Sequence, residues 1–178
     1  TINLDMRKRL RDLIPALSVF GSAVGNQMIE GKMKCSYAIP KCAELQAYLP
    51  DGARNKNSLT SYEQISDDFT TRRDDLHAER KEDEAAHQMI VNFEIIAPGT
   101  EFYHKFTLVD CNEIETAVLG RATELWKERP YVGGKSSIGL GEVRLDYPEI
   151  DSTKYMEYLQ KHHDVVISAI TELEEMLK

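Results

Sequence analysis

The sequence predicts an α+β fold, and three observations carry the prediction. Apolar residues recur at three- and four-residue spacing near the start, in the second half and at the end. Between those stretches they alternate with polar residues at period two. Finally, 178 residues with 42% hydrophobic and 29% charged content are enough for one domain with a core, or one domain carrying an excursion.

The first helix is read from Leu4, Met6, Leu10, Leu13, Ile14 and Leu17, with Asn3 or Asp5 as its cap and Pro15 ending or kinking it near Ile14. Ser18 to Asn26 is expected to be loop because of its glycines. From Gly31 to Ile39, Met33, Cys35, Tyr37 and Ile39 alternate with polar residues, predicting a strand with one buried face. Cys35 and Cys42 are expected to be buried packing thiols. Residues 50–63 and 67–84 are polar, with little to bury, and read as an exposed excursion that stays mobile until something binds it.

His87 to Ile96 and Thr100 to Asp110 alternate cleanly on either side of Ala97-Pro98-Gly99, so they predict a β-hairpin. Asn112 opens a helix to about residue 128, with Ile114, Val118, Leu119, Ala122, Leu125 and Trp126 on its apolar face. Val143 and Leu145 mark a short last strand. Ser152 caps a closing helix striped by Tyr155, Met156, Leu159, Val166, Ile170, Leu173 and Leu177. One strand added before Thr1 would complete the order β-α-β-β-α-β, so the expectation is a ferredoxin-like, RRM-like arrangement whose first strand is lacking or truncated.

Charge and cysteine usage exclude several function classes. No apolar run approaches the roughly 20 residues of a membrane span, and no basic-then-apolar leader opens the chain, so the expectation is a cytoplasmic protein with no membrane partner. Three cysteines without a C-x-x-C pair indicate neither a disulfide framework nor a zinc knuckle. Net charge of -8 argues against a nucleic-acid partner, since phosphate binding depends on cations. The charge is uneven, however: acids crowd into 74–84 and the final helix, while Arg7, Lys8, Arg9 and Arg11 cluster on the first.

The segment Gly133-Gly134-Lys135-Ser136-Ser137-Ile138-Gly139-Leu140-Gly141-Glu142-Val143 carries the most chemistry. A nucleotide-hydrolysing phosphate loop needs a glycine five residues before Gly134, where Arg129 stands, and its strand–loop–helix order is reversed here. Four glycines in nine residues instead expose successive backbone N–H groups able to hold anionic oxygens, beside one cation and two hydroxyls. The alternative is a tight helix-to-strand turn. Elsewhere His162 and His163 point about 100° apart on a helix and cannot share a metal. His77 and His87 lie among carboxylates without the preorganisation a metal or nuclease site needs. Met89 is a strand residue that either packs in the core or wedges between bases. No metal, cofactor or catalytic residue is expected.

Three segments together resemble a known group. "RPYVGGKSSIGLGEV" is similar to the C-terminal glycine-rich signature of the RAMP superfamily. "NLDMRKRLRDLIPALSVFGSA" with "GKMKCSYAIP" resembles the basic helix, Phe-Gly loop and strand of CRISPR effector backbone subunits. "FTTRRDDLHAERKEDEAAHQMIVNFEIIAPGTEFYHKFTL" resembles their thumb, with Glu94, Gly99 and Phe102 as the E-x-x-x-x-G-x-x-F hairpin. Type IV systems look nearest and type III the neighbour. This chain departs from the pattern in lacking the early strand and loop that carry the type III catalytic aspartate, and in having Lys8 where a glycine is usual.

The resemblance implies one RAMP-like domain: a palm over 1–49 and 89–150, a thumb or insertion over about 50–88, and a C-terminal helix over 152–178. It implies a non-catalytic subunit of a prokaryotic antiviral ribonucleoprotein that binds guide RNA, oligomerises along it as a filament, meets complementary target nucleic acid and assembles with other effector subunits. The RNA-binding residues it implies are Arg7, Lys8, Arg11, Arg72, Arg73, Gly133, Gly134, Lys135, Ser136, Ser137 and Gly139. The rival readings are a RAMP-family endoribonuclease and a protein-interaction domain without RNA.

Overall fold

The structure, a computed structural model, describes residues 3–24, 27–55, 57–72 and 89–177. Helices and small antiparallel strand pairs make it an α+β protein. It divides into two compact units, Thr1–Cys35 with Phe106–Lys178, and Ser36–Lys105. The insertion expected over about 50–88 lies within the second. The described strands form four two-stranded pairs, and the four-stranded sheet of a ferredoxin-like arrangement is not among them.

The first unit opens with α1 (Leu4–Leu13), where the Asn3 side chain accepts the Met6 N–H at 2.8 Å as the expected cap. Pro15 ends α1 as expected, with Ile14 before it leaving helical geometry at φ -119° and ψ 86°. It occupies the first turn of α2 (Pro15–Phe20), where its missing N–H would be unpaired in any case. The expected loop over 18–26 is therefore the end of α2 followed by strand β1 (Ser22–Val24), which pairs with β2 (Gln27–Ile29). Gly21 makes this junction at φ +73°, and a Cβ there would lie 2.5 Å from the Ile29 carbonyl oxygen. Strand β3 (Met33–Cys35) is shorter than expected. Cys35 and Tyr37, expected on the buried face, are exposed. Cys42, in contrast, is fully buried as expected.

The second unit begins with β4 (Ile39–Pro40) and a chain of 3-10 turns over Ala43–Tyr48, Asp51–Ala53 and Tyr62–Gln64. Side chains knit these turns together. Gln46 donates to the Cys42 carbonyl and to Ser58 Oγ, both at 2.8 Å, and Glu44 accepts the Ser61 N–H at 2.9 Å. Among its described residues, Cys42 and Leu49 are the buried apolar ones and Gln64 is buried with them. Strand β5 (Ile65–Arg72) then pairs along its full eight residues with β6 (Met89–Ile96), Ile65 opposite Ile96 and Arg72 opposite Met89.

That pairing overturns the predicted hairpin. The Ala97-Pro98-Gly99 turn forms, with Thr100 N–H on the Ala97 carbonyl at 3.2 Å and Gly99 at φ +86°. Its two arms do not pair with each other. The segment after it gives β7 (Phe102–Tyr103), paired with β4, and in the first unit β8 (Phe106–Leu108), paired with β3. Local alternation fixed that these residues are strands but not their partners. The "ISDDFTTR" run, polar enough to read as excursion, claims β6 because Ile65, Phe69 and two threonines give it strand propensity despite its acids.

The first unit closes with α3 (Glu113–Glu128), α4 (Thr153–Lys161) and α5 (His163–Leu177). The capping box on α3 is complete: Asn112 Oδ1 accepts the Glu115 N–H and Glu115 accepts the Asn112 N–H, both at 2.8 Å. The single closing helix expected from Ser152 is two, separated at His162. Ser152 occupies the cap position without capping, since its hydroxyl donates instead to Glu124 at 2.7 Å. Leu10, Leu17, Ile29 and Ala169 form the buried cluster, joined by Met6, Leu13, Ile14 and Leu173. Gly120 lets α3 approach the chain before α4 closely, for a Cβ there would stand 2.4 Å from the Ile150 carbonyl oxygen.

Candidate nucleic-acid interface

Helix α3 ends at Glu128, and Pro130 turns the chain into a short stem. Tyr131 bridges antiparallel to Glu142, Val132 N–H bonds the Gly141 carbonyl at 2.8 Å, and Val143 N–H bonds the Pro130 carbonyl at 2.7 Å. The stem is tight: a Cβ on Gly141, which sits at φ +85°, would overlap the Val132 carbonyl oxygen at 2.0 Å. Beyond Val143 the expected last strand has no partner among the described residues. Exposure still alternates there, with Val143 and Leu145 half-buried and Arg144 exposed, but without a neighbouring ladder it is extended chain.

The stem carries residues 133–140 as an exposed loop. Ser136–Ile138 make one 3-10 turn, closed by Ile138 N–H on the Lys135 carbonyl at 3.2 Å and Gly139 N–H on the Ser136 carbonyl at 3.0 Å. Gly133 and Gly139 take φ +81° and +84°, so left-handed backbone accounts for glycine at both. Gly134 is different. Its φ is not positive and a Cβ would meet nothing within 4 Å, so among the described residues neither left-handed backbone nor a close contact accounts for glycine there. The N–H groups of Gly133, Gly134, Ser136 and Ser137 donate no hydrogen bond among the described residues, and all four residues are exposed. Undonated amides close together on an exposed loop, two of them on glycines, can hold an anionic oxygen.

The other expected RNA contacts are distributed over both units. On α1, Arg9 is taken by an ion pair to Glu172 of α5. Arg7, Lys8 and Arg11 make no ion pair among the described residues, and Lys8 is exposed. Arg7 Nε is a buried donor with no acceptor among the described residues, out of reach of an outside ligand as it stands. Arg72 ends β5 in the second unit. Arg73 lies outside the described residues, as do His77 and His87. Polar contacts tie α1 to the closing helices, through Arg9 and through Tyr158, whose hydroxyl donates to the Leu13 carbonyl at 3.1 Å.

Sequence reading passed over a buried charge cluster in the first unit. Lys32 Nζ lies 2.7 Å from both Glu115 carboxylate oxygens, Ser18 Oγ donates to Glu115 at 2.5 Å, and Lys32 N–H bonds the Ser18 carbonyl at 3.0 Å. Burial pushes the Glu115 carboxyl up, but the bonds from Lys32, Ser18 and the Asn112 N–H outweigh it and hold the group below the ordinary carboxylate range. The only signal in the sequence was Glu115 as the third residue of a capping box. Among the described residues, no group of three or more His, Cys, Asp or Glu could hold a metal ion, and no helix is long and apolar enough to cross a membrane. A scan against protein-family models finds no match to this sequence, and a search of curated proteins finds none.

Proposed function

We propose that the chain is a non-catalytic guide-RNA-binding subunit that oligomerises along the RNA in a CRISPR interference complex with other effector subunits, where the guide meets its complementary target. The observation that carries this reading is Gly134, a glycine that no positive φ or close contact accounts for, set among amides that donate no hydrogen bond among the described residues. Close approach of a phosphate accounts for it. Arg7, Lys8 and Arg11 supply cations that make no ion pair among the described residues, with Lys8 exposed to solvent. An acidic chain fits this role if each copy contributes a few phosphate contacts and the filament sums them.

The test is whether the protein, purified from cells expressing a guide array, retains small RNA of uniform length, and whether replacing Lys135, Ser136 and Ser137 with Ala releases it. A variant that binds as the parent does removes the loop from the site. Incubation with labelled RNA, with and without divalent metal, separates the RAMP endoribonuclease reading: a site-specific product would sink the non-catalytic one. Protein that never retains RNA supports an interaction domain instead.

A further inference from the structure

We propose that the stem beneath the glycine loop is a stacking platform for an unpaired base, with the Tyr131 ring as its surface and Arg129 and Arg144 as flanking cations. This rests on the RNA-binding reading and narrows it to single-stranded RNA.

The backbone of Tyr131 is fixed from several directions. Its N–H donates to the Arg129 carbonyl at 2.9 Å, its carbonyl accepts Trp126 Nε1–H at 3.2 Å, and it bridges Glu142 across the stem. Trp126 is held in turn between Phe106 and Tyr147, at ring-centroid distances of 6.5 and 6.1 Å. The Tyr131 side chain is nevertheless 43% exposed. From Glu142 to Tyr147 exposure alternates: Glu142, Arg144 and Asp146 face out, while Val143, Leu145 and Tyr147 are half-buried. Period two therefore sets Arg144 on the outward side with Glu142, the residue opposite Tyr131. Arg129, two residues before Tyr131, is exposed as well, and neither arginine makes an ion pair among the described residues.

An aromatic ring on an immobilised backbone has little freedom left to lose when a base stacks on it, and every base presents a π face. The amide loop begins two residues further on, so a base on Tyr131 leaves its phosphates beside the loop and the two guanidinium groups. A duplex keeps its bases stacked on one another and offers none to such a platform.

The test is equilibrium binding of the full chain, freed of co-purified RNA, to a fluorescent single-stranded oligoribonucleotide, an abasic oligomer of equal length, and a duplex. Tyr131→Leu should weaken single-strand binding by roughly fivefold to a hundredfold, the range of one base–aromatic stack, and leave abasic binding unchanged. Tyr131→Phe should bind as the parent does, and Tyr131→Trp more tightly. Arg129→Ala with Arg144→Ala should weaken single-strand and abasic binding alike and flatten their salt dependence. Glu142→Gln should tighten both. Should the leucine variant melt early, the Trp and Phe variants carry the result. A leucine variant with parental affinity, an equal loss on the abasic oligomer, or preferred binding of the duplex overturns the platform alone. A parent chain that binds none of the three probes overturns the RNA-binding reading and the platform with it.

Discussion

Lys32 closes a two-pronged ion pair on Glu115, 83 residues away, with Nζ 2.7 Å from each carboxylate oxygen. Because Glu115 is only 4% exposed and Ser18 and the Asn112 N–H complete its shell, one cluster ties α2, the β2–β3 connection and the start of α3. Removing one partner leaves the other charge without compensation in a poorly solvated place. Glu115→Ala should therefore cost about 3–5 kcal/mol, read by urea denaturation.

The same pair predicts a pH dependence. The folded state holds the Glu115 carboxyl below its ordinary value of 4.5, so its contribution is complete above that value and is lost as pH falls through the folded pKa. Melting curves of the parent and of Glu115→Gln should lie far apart at neutral pH and converge on acidification below about 4.5. Convergence on raising the pH instead would be the wrong sign and would refute the assignment.

Two glycines should respond oppositely to alanine. Alanine is the better helix former by about 1 kcal/mol, yet Gly120→Ala should destabilise the protein, because its Cβ would stand 2.4 Å from the Ile150 carbonyl oxygen. Overpacking of this kind costs about 1–3 kcal/mol. Gly134→Ala meets open space and should leave the melting temperature unchanged while weakening RNA binding. Thermal melts and a binding titration on the two variants separate the structural glycine from the one proposed to meet phosphate.

Arg9 is the basic residue of α1 that makes an ion pair among the described residues. Its pair with Glu172 is partly exposed, so Arg9→Ala should cost no more than about 1 kcal/mol. RNA binding should fall far more with Arg7→Ala and Lys8→Ala than with Arg9→Ala. Equal losses from all three would argue that only overall helix charge matters.

The thiols should react in a fixed order. Cys35 is exposed and should label at once with a thiol reagent. Cys111 should follow slowly, because burial and the neighbouring Glu115 charge push its pKa up and leave less thiolate. Cys42, fully buried, should label only on unfolding. Timed labelling with peptide mapping reads all three.

What the sequence by itself determined was local. The Asn3 and Asn112 caps, the helices they open, the strand character of residues 89–96 and the turn at Gly99 all follow from neighbours a few residues apart, and the structure forms each of them. The glycine loop was also legible as a candidate, since its spacing and element order exclude a nucleotide-hydrolysing loop and its glycines expose amides. Tertiary structure decided the partners. β6 pairs with β5 and not across its own turn, because a strand's alternation says which face is apolar but its N–H and C=O groups accept any ladder of the right register. Cys35 and Cys42 look alike in sequence, and only packing buries one and exposes the other. Glu115 reads as a cap residue, and only the fold brings Lys32 and Ser18 to it. Which glycines are required was settled the same way: Gly120 and Gly141 face a carbonyl oxygen brought close by the fold, and Gly134 faces open space.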